Sequence, residues 1–145
     1  MELLAELSES FRLAIITDGY IETQKLKVSA LGIDRLVHKI IYTDEFGKER
    51  WKPDPLAFET LKKYENLKNQ EAIYVADNSL KDFTPAKATG FITIKVSHPG
   101  ALYSNVPAPE GSEPDYRVNS VKKLREILSL LCREGKHYET NIKKG

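Results

Sequence analysis

Three short polar stretches of the chain carry side chains suited to binding a phosphate group or a metal ion. They read ITDG, WKPDP and VADNSLKD in chain order. A hydroxyl, exposed main-chain N–H groups and an ammonium group suit phosphate oxygens, whereas paired carboxylates suit a hard cation such as Mg²⁺. The candidate residues are Thr17, Asp18, Gly19, Lys52, Asp77, Asn78 and Asp82.

The first two stretches predict a phosphate site. Thr17 supplies a hydroxyl, and the Asp18–Gly19 turn supplies main-chain N–H groups that could cradle a phosphate. We expect Asp54 to cap a helix that begins at Pro55, so Lys52 precedes a helix N-terminus, where positive charge is mildly unfavourable. An anion held nearby would offset that cost. The alternatives are an ordinary Asp-Gly turn and a solvated lysine.

The third stretch predicts a metal site. Asp77 ends an apolar run and Asp82 follows five residues later, with Asn78 between them. Mg²⁺ prefers such oxygen ligands. The alternative is that the two aspartates cap the next helix and pair with lysines. The histidines are dispersed and show no ligand spacing.

Alternating strands and helices are predicted around these stretches. The alternation favours an α/β fold, a Rossmann-like three-layer α/β/α arrangement with a mostly parallel sheet. Ligands of such sheets bind at the carboxyl ends of strands, where the polar stretches fall. Helices are predicted over residues 2–10, 23–31, 54–68, 80–89 and 120–133, with Thr23 as a cap and Gly32 as a C-terminal glycine, and strands within LAIITDG, KIIYTDE, AIYVADN, FITIKV and YRV.

The composition is that of an ordinary globular domain. The 145 residues carry a net charge of +1, which favours neither nucleic acid nor an anionic membrane as a partner. No apolar run approaches the roughly 20 residues of a membrane span. Cys132 has no partner for an internal disulfide, which fits a reducing cytoplasm. We predict one domain over 1–135, a polar tail over 136–145 and a cytoplasmic location.

The order of the three stretches resembles the C-terminal part of haloacid dehalogenase superfamily hydrolases, a group made largely of Mg²⁺-dependent phosphatases. LAIITDG is similar to the family's second motif, WKPDP to its third and VADNSLKDF to its fourth. The resemblance implies that Thr17 hydrogen-bonds the phosphoryl group and that Lys52 stabilises it. It implies that Asp77 and Asp82 hold Mg²⁺, with Asn78 beside them. TQKLKVSALGID is also similar to one branch of the family.

The family's first motif, an apolar strand ending in Asp-x-Asp, has no match in these 145 residues. Its first aspartate is the nucleophile and its second is the general acid and base. Its strand is the central one of the family's sheet, and the strands carrying Thr17 and Asp77 would flank it. We therefore expect open sheet edges and little or no phosphatase activity from this chain alone.

Three interpretations of the missing motif stay open. In the first, another polypeptide supplies the Asp-x-Asp strand. In the second, the chain is a non-catalytic pseudo-phosphatase that binds a phosphorylated ligand or a protein partner. In the third, Met1 is not the natural start and the motif lies upstream. The open edges also predict a homodimer or a companion chain, and the expected ligand is a phosphorylated small molecule.

Overall fold

The computed structural model describes the backbone of residues 2–142 and the side chains of residues 2–133. The chain divides into two compact units, Met1–Leu67 and Lys68–Gly145, which are described in turn. The helices are α1 Glu2–Ser8, α2 Ile21–Leu31, α3 Leu56–Tyr64, α4 Phe83–Ala88 and α5 Val121–Ile142; the strands are β1 Ala14–Thr17, β2 Lys39–Tyr42, β3 Ile73–Ala76, β4 Ile92–Val96 and β5 Tyr116–Val118.

The first unit is built on a parallel pair of strands, β1 and β2, with Thr17 opposite Tyr42 at their carboxyl ends. Both strands are short and rich in isoleucine, as expected of strands buried on both faces. Ile16 and Ile41 contribute the strand part of the core. Helix α3 packs against β2 and buries Phe58 completely. Because the strands are parallel, the residues that follow β1 and β2 lie at the same end of the pair.

Helix α2 begins earlier than predicted. It starts at Ile21, and its capping position is Tyr20, which makes no side-chain capping hydrogen bond, so the prediction that Thr23 caps this helix is wrong. The main-chain N–H of Ile21 donates instead to the carboxylate of Asp44, a partner distant in sequence. The C-terminal prediction is confirmed, because Gly32 ends the helix in the left-handed conformation with φ of 63°.

Helix α3 is shorter than the predicted 54–68 and begins at Leu56. Pro55 occupies the capping position, while Asp54 supplies the acceptor, because its Oδ1 takes the N–H of Leu56 at 2.9 Å. The buried residues of the helix are Ala57, Phe58 and Leu61, whereas Tyr64 at its end is 59% exposed.

The second unit is a three-stranded parallel sheet in the order β3-β4-β5. The middle strand, β4, is the most buried, and Ile94 at its centre has no solvent exposure. Helix α4 packs on β4, and α5 packs on β5. The segment between β4 and β5 is irregular, as its proline and glycine content predicts. It is anchored by Asp115, which accepts hydrogen bonds from the main-chain N–H and the hydroxyl of Thr93.

The predicted α/β class with parallel strands is confirmed. Within residues 2–142, β1 pairs with β2 alone, and β3 pairs with β4 alone. The strands that precede Asp18 and Asp77 therefore belong to separate sheets, and each of these two strands has one edge that no described strand covers. The missing Asp-x-Asp strand predicts such open edges.

The last helix is longer than the predicted 120–133 and continues to Ile142. The predicted polar tail, 136–145, therefore begins inside a helix, and its side chains and residues 143–145 lie outside the described part of the chain. Among the described helices, none combines the length and the apolar character that crossing a membrane requires.

Candidate phosphate and metal sites

The end of β1 forms the first candidate site. Thr17 is the last residue of the strand, and its hydroxyl donates a hydrogen bond to Oε1 of Gln24 at 2.9 Å. Gly19 follows with φ of +122°, a conformation that residues with a Cβ rarely adopt. A Cβ at Gly19 would lie 2.6 Å from Nε2 of Gln24. The turn is therefore built for close approach, and the Gln24 carboxamide lies across it.

Asp18 connects the turn to the segment that carries the candidate lysine. Its Oδ1 accepts a hydrogen bond from the hydroxyl of Thr43 at 2.8 Å and another from the main-chain N–H of Lys52 at 3.1 Å. Thr43 has no solvent exposure, and its hydroxyl is also 3.2 Å from the carbonyl oxygen of Thr17. The carboxylate of Asp18 thus holds Lys52 beside the end of β1.

Asp44 secures the same region from the end of β2. Its Oδ2 accepts the N–H of Ile21 at 3.0 Å, and its Oδ1 accepts the indole N–H of Trp51 at 3.1 Å. The first bond satisfies a donor at the N-terminus of α2, where a negative charge is also favourable. The second bond fixes the residue before Lys52. One carboxylate therefore ties both the helix and the lysine segment to β2.

An aromatic and cationic cluster borders the turn. Tyr20 and Trp51 pack edge to face with their ring centroids 5.6 Å apart. The ammonium of Lys48 lies 5.4 Å from the Tyr20 ring centroid and 5.6 Å from that of Trp51, and it donates to the Tyr20 hydroxyl at 3.2 Å. Lys52 is partly buried, and its peptide bond to Pro53 is cis.

The second candidate site is the loop after β3 in the other unit. Asp77 is exposed, whereas Asp82 is only 3% exposed and accepts a hydrogen bond from the Tyr74 hydroxyl at 3.0 Å. Asn78 is buried, and its Oδ1 accepts the N–H of Leu80, which closes a side-chain turn. The loop thus presents one accessible carboxylate and one buried carboxylate.

The chemistry of this loop fits part of a Mg²⁺ site. Asp77 and Asp82 offer hard oxygen ligands, and between them lies Ser79, whose fully buried hydroxyl has no hydrogen-bond partner within the described structure. Mg²⁺ is commonly held by one or two carboxylates together with water. Among the described residues, no group of three or more His, Cys, Asp or Glu side chains is positioned to bind a metal. Further oxygen ligands would have to complete the coordination.

A buried cation lies on the strand next to this loop. Lys95 on β4 is 2% exposed, and its ammonium donates to the carbonyl oxygen of Val106 at 3.0 Å. Burial lowers the pKa of Lys95 and the positive charge of Arg117 lowers it further, while the carboxylate of Asp77 opposes both effects. The bond to Val106 therefore anchors the irregular segment between β4 and β5.

The structure thus gathers the predicted residues into two groups, one in each unit. Thr17, Asp18, Gly19 and Lys52 come together in the first unit. Asp77, Asn78 and Asp82 share one loop in the second. Sequence reasoning missed three residues that organise the first group: Gln24, Thr43 and Asp44. A signal for two of them was present, because the pair Thr43–Asp44 directly follows β2, just as Thr17–Asp18 stands at the end of β1.

These features define a class, an α/β protein whose polar clusters follow the carboxyl ends of parallel strands. A family comparison identifies it further, because residues 1–96 match the haloacid dehalogenase-like hydrolase family. The chain belongs to that family. The resemblance inferred from the motifs is therefore confirmed.

Curated relatives agree with this membership. The chain is 34% identical over 123 residues to a glyceraldehyde 3-phosphate phosphatase from Methanocaldococcus jannaschii, covering 85% of this chain and 51% of the relative. It is 28% identical over 125 residues to the pyrophosphatase PpaX from Halalkalibacterium halodurans, covering 86% and 55%. The chain spans about half the length of the curated relatives it matches.

Solved structures show the same fold. The chain superposes on the HAD-hydrolase YfnB from Bacillus subtilis, which was solved bound to magnesium, with a TM-score of 0.75 and 20% identity, covering 88% of this chain and 53% of YfnB. A HAD phosphatase from Thermococcus onnurineus gives a TM-score of 0.70 with 24% identity, covering 88% and 55%. These similarities establish the fold class of the described chain.

Proposed function

We propose that this chain is the phosphate- and metal-binding part of a phosphatase-type hydrolase, and that a segment carrying an Asp-x-Asp strand completes it. The observation that carries the proposal is the hydrogen bond from the main-chain N–H of Lys52 to Asp18, at the turn that follows Thr17. This bond keeps a hydroxyl, a turn and a lysine together in one unit. The phosphatase names of the relatives support the same class of reaction.

Each residue of the first group has a defined part in this proposal. The hydroxyl of Thr17 and the main-chain N–H groups of the Asp18–Gly19 turn bind phosphoryl oxygens. The ammonium of Lys52 neutralises negative charge on the phosphoryl group, and such preorganised charge lowers the barrier to transfer. Asp18 acts indirectly, because its carboxylate holds the main chain of Lys52.

In the second unit, Asp77 and Asp82 would hold Mg²⁺, with Asn78 shaping their loop. When bound, the ion would supply electrostatic stabilisation of a phosphoryl group. The nucleophilic carboxylate itself would come from the completing segment. The edges of β1 and β3 that pair with no described strand are the places where the main chain of such a segment could pair. The expected substrate is a phosphorylated small molecule.

The direct test is complementation. The N-terminal half of the M. jannaschii relative, which this chain does not cover, would be fused ahead of residue 1. Mg²⁺-dependent hydrolysis of 4-nitrophenyl phosphate would be measured for the fusion and for the chain alone. We expect the fusion to be active and the chain alone to be inactive. Lys52→Ala in the fusion should lower the rate of hydrolysis at least about a hundredfold, because the lysine stabilises charge in the transition state. Lys63→Ala, at an exposed lysine of α3, is the matched control.

Two results would overturn the proposal. One is a folded fusion with no Mg²⁺-dependent activity, and the other is a fusion whose activity is unchanged by Lys52→Ala. Activity in the chain alone that Lys52→Ala abolishes would instead reveal a nucleophile within these 145 residues.

A second candidate function is a non-catalytic pseudo-phosphatase module. The observation that favours it is the lack of an Asp-x-Asp motif in the 145 residues. Such a module would gain thermal stability from a phosphorylated ligand or Mg²⁺ without turning it over, because a ligand that binds only the folded state stabilises it. An inactive fusion whose melting temperature rises with phosphate would favour this function. In either function, a second copy of the chain or a companion chain could cover the open sheet edges. A monomeric mass for the purified chain would contradict the homodimer.

A further inference from the structure

Gln24 lies across the turn that is expected to receive the phosphoryl group. Its side chain leaves the first turn of α2, where its own N–H donates to the carbonyl of Tyr20 at 3.1 Å. Its Oε1 accepts the hydroxyl of Thr17, and its Nε2 packs so closely on Gly19 that a Cβ there would lie 2.6 Å away. One carboxamide therefore contacts both ends of the Thr17–Gly19 turn.

The hydrogen bond from Thr17 to Gln24 uses the proton that Thr17 would need to bind a phosphoryl oxygen. A threonine hydroxyl has a single proton to donate, whereas a carboxamide can present either an oxygen acceptor or an N–H donor. In the observed arrangement the Thr17 proton is directed at Gln24. A phosphoryl oxygen accepts hydrogen bonds, so Thr17 can donate to it only if that proton turns away from Gln24.

We propose that Gln24 is a positioning residue that directs the Thr17 hydroxyl, with its carboxamide turning over when a phosphoryl group binds. After the turn, Nε2 donates to the Thr17 oxygen, and the Thr17 proton is released to the phosphoryl oxygen. This inference rests on the proposed function, because it assumes that the phosphoryl group binds at Thr17. The proposed role belongs to a residue outside the three motifs. It requires a carboxamide, because a carboxylate could not donate a hydrogen bond to Thr17 and a methyl group could form none.

The position of Gln24 supports this assignment. The start of α2 is held by the bond from Ile21 to Asp44, so the side chain at position 24 leaves a fixed backbone. Gly19 leaves room for the carboxamide next to the turn. A glutamate at position 24 would have nearly the same shape, but it could only accept the Thr17 proton and would add negative charge beside the phosphoryl group.

The test measures binding of inorganic phosphate to the full chain by isothermal titration calorimetry. We expect Gln24→Glu to weaken binding by at least about tenfold, because a charge-assisted hydrogen bond is lost and a repulsive charge is added. Thr23→Glu adds the same charge at an exposed neighbouring position of α2 and is expected to change affinity by less than about twofold. Thermal melts would confirm that both variants fold.

A double-mutant cycle separates positioning from general packing. Gln24→Met removes the polar group while keeping the length, and we expect it to weaken phosphate binding by about three- to tenfold. In a Thr17→Val background the same change is expected to have little effect, because Gln24 acts through the Thr17 hydroxyl. In the unchanged chain, the side-chain ¹⁵N signal of Gln24 is expected to shift on phosphate addition.

The outcomes distinguish this inference from the proposed function. If the unchanged chain binds phosphate and Lys52→Ala weakens it, but both Gln24 variants bind within twofold of the unchanged chain, the inference alone is overturned. Equal effects of Gln24→Met with and without the Thr17 hydroxyl would also overturn it. If no phosphate binding is measured at millimolar concentration, or if Lys52→Ala leaves it unchanged, phosphate binding at this turn fails and the inference fails with it.

Discussion

The main-chain N–H of Lys52 donates a hydrogen bond to Oδ1 of Asp18 over 3.1 Å, although 34 residues separate the two in the chain. The bond joins the residue after β1 to the segment that precedes α3. Because the same oxygen also accepts the buried hydroxyl of Thr43, one carboxylate organises three parts of the first unit. The candidate lysine is therefore positioned by its backbone.

Replacing Asp18 tests this relationship. We expect Asp18→Ala to lower the free energy of unfolding by about 1–3 kcal/mol, because the Thr43 hydroxyl and the Lys52 N–H both lose an acceptor. Asp18→Asn keeps an acceptor oxygen at the same place and is expected to cost less. Urea denaturation would measure both. Equal losses in the two variants would show that the charge, rather than the acceptor geometry, is what matters.

The conformation of Gly19 gives a second prediction. Gly19→Ala is expected to destabilise the protein by about 1–3 kcal/mol, because φ is +122° and the new Cβ would meet the Gln24 carboxamide. Gly32→Ala is the matched control, since its φ is +63° and nothing lies within 4 Å of its added Cβ. We expect about 1 kcal/mol there. Thermal melts would measure both variants. An equal loss of stability in Gly32→Ala and Gly19→Ala would contradict the close packing of Gln24 against Gly19.

Asp44 provides a third prediction. Asp44→Ala removes the acceptor for the Ile21 N–H and for the Trp51 indole, so we expect a loss of about 1–3 kcal/mol of stability. The indole should also become more mobile, which tryptophan fluorescence would report as a change in emission. Glu45→Ala, at the exposed neighbouring position, should leave both measurements unchanged. An unaltered emission spectrum in Asp44→Ala would show that the indole bond does not order Trp51.

A fourth prediction concerns acid stability. Glu65 accepts hydrogen bonds from Arg12 at 3.1 Å and from His38 at 2.6 Å. The hydrogen bond from Arg12 lowers the pKa of Glu65 below its ordinary value of 4.5, and burial opposes this while His38 adds to it. Because the folded pKa is the lower one, the stabilisation is fully present above about pH 4.5 and disappears as the pH falls through the folded pKa.

Comparison of the unchanged protein with Glu65→Gln would test this. We expect the variant to be slightly less stable at pH 7, since the Arg12 side chain is largely exposed and the pair is screened by solvent. The difference should shrink below pH 4.5. Glu59→Gln, at an exposed glutamate of α3, should show no such dependence. A stability difference that stayed constant from pH 7 to pH 3 would contradict an ionic origin.

Much of the secondary structure could be predicted because it depends on local patterns. The isoleucine-rich runs before Asp18 and Thr43 have the length and composition of buried parallel strands, and the structure places β1 and β2 there. Gly32 was a correct C-terminal signal, since the left-handed conformation is a local property of glycine. The predicted start of α2 was wrong, because the acceptor for its first N–H group is Asp44, which lies 23 positions away in the chain.

The candidate site shows the same division. The types and the order of four residues were sufficient to predict the haloacid dehalogenase-like hydrolase family: Thr17, Lys52, Asp77 and Asp82. The family comparison confirmed that membership. Which of them act on phosphate or metal stays a prediction. The supporting residues Gln24 and Thr43 were missed, because their importance lies in hydrogen bonds to Thr17 and Asp18 rather than in any pattern of spacing.

The sequence by itself determined the strands, most helix positions, the family and the lack of an Asp-x-Asp motif, since each of these is a property of residue type and local order. Only the tertiary structure decided three contacts. Asp18 holds the backbone of Lys52, Asp44 accepts the first N–H of α2, and Gln24 lies across the Thr17–Gly19 turn. The physical reason is that hydrogen bonds between side chains and distant backbone groups depend on where the strands bring them. No local pattern encodes those distances.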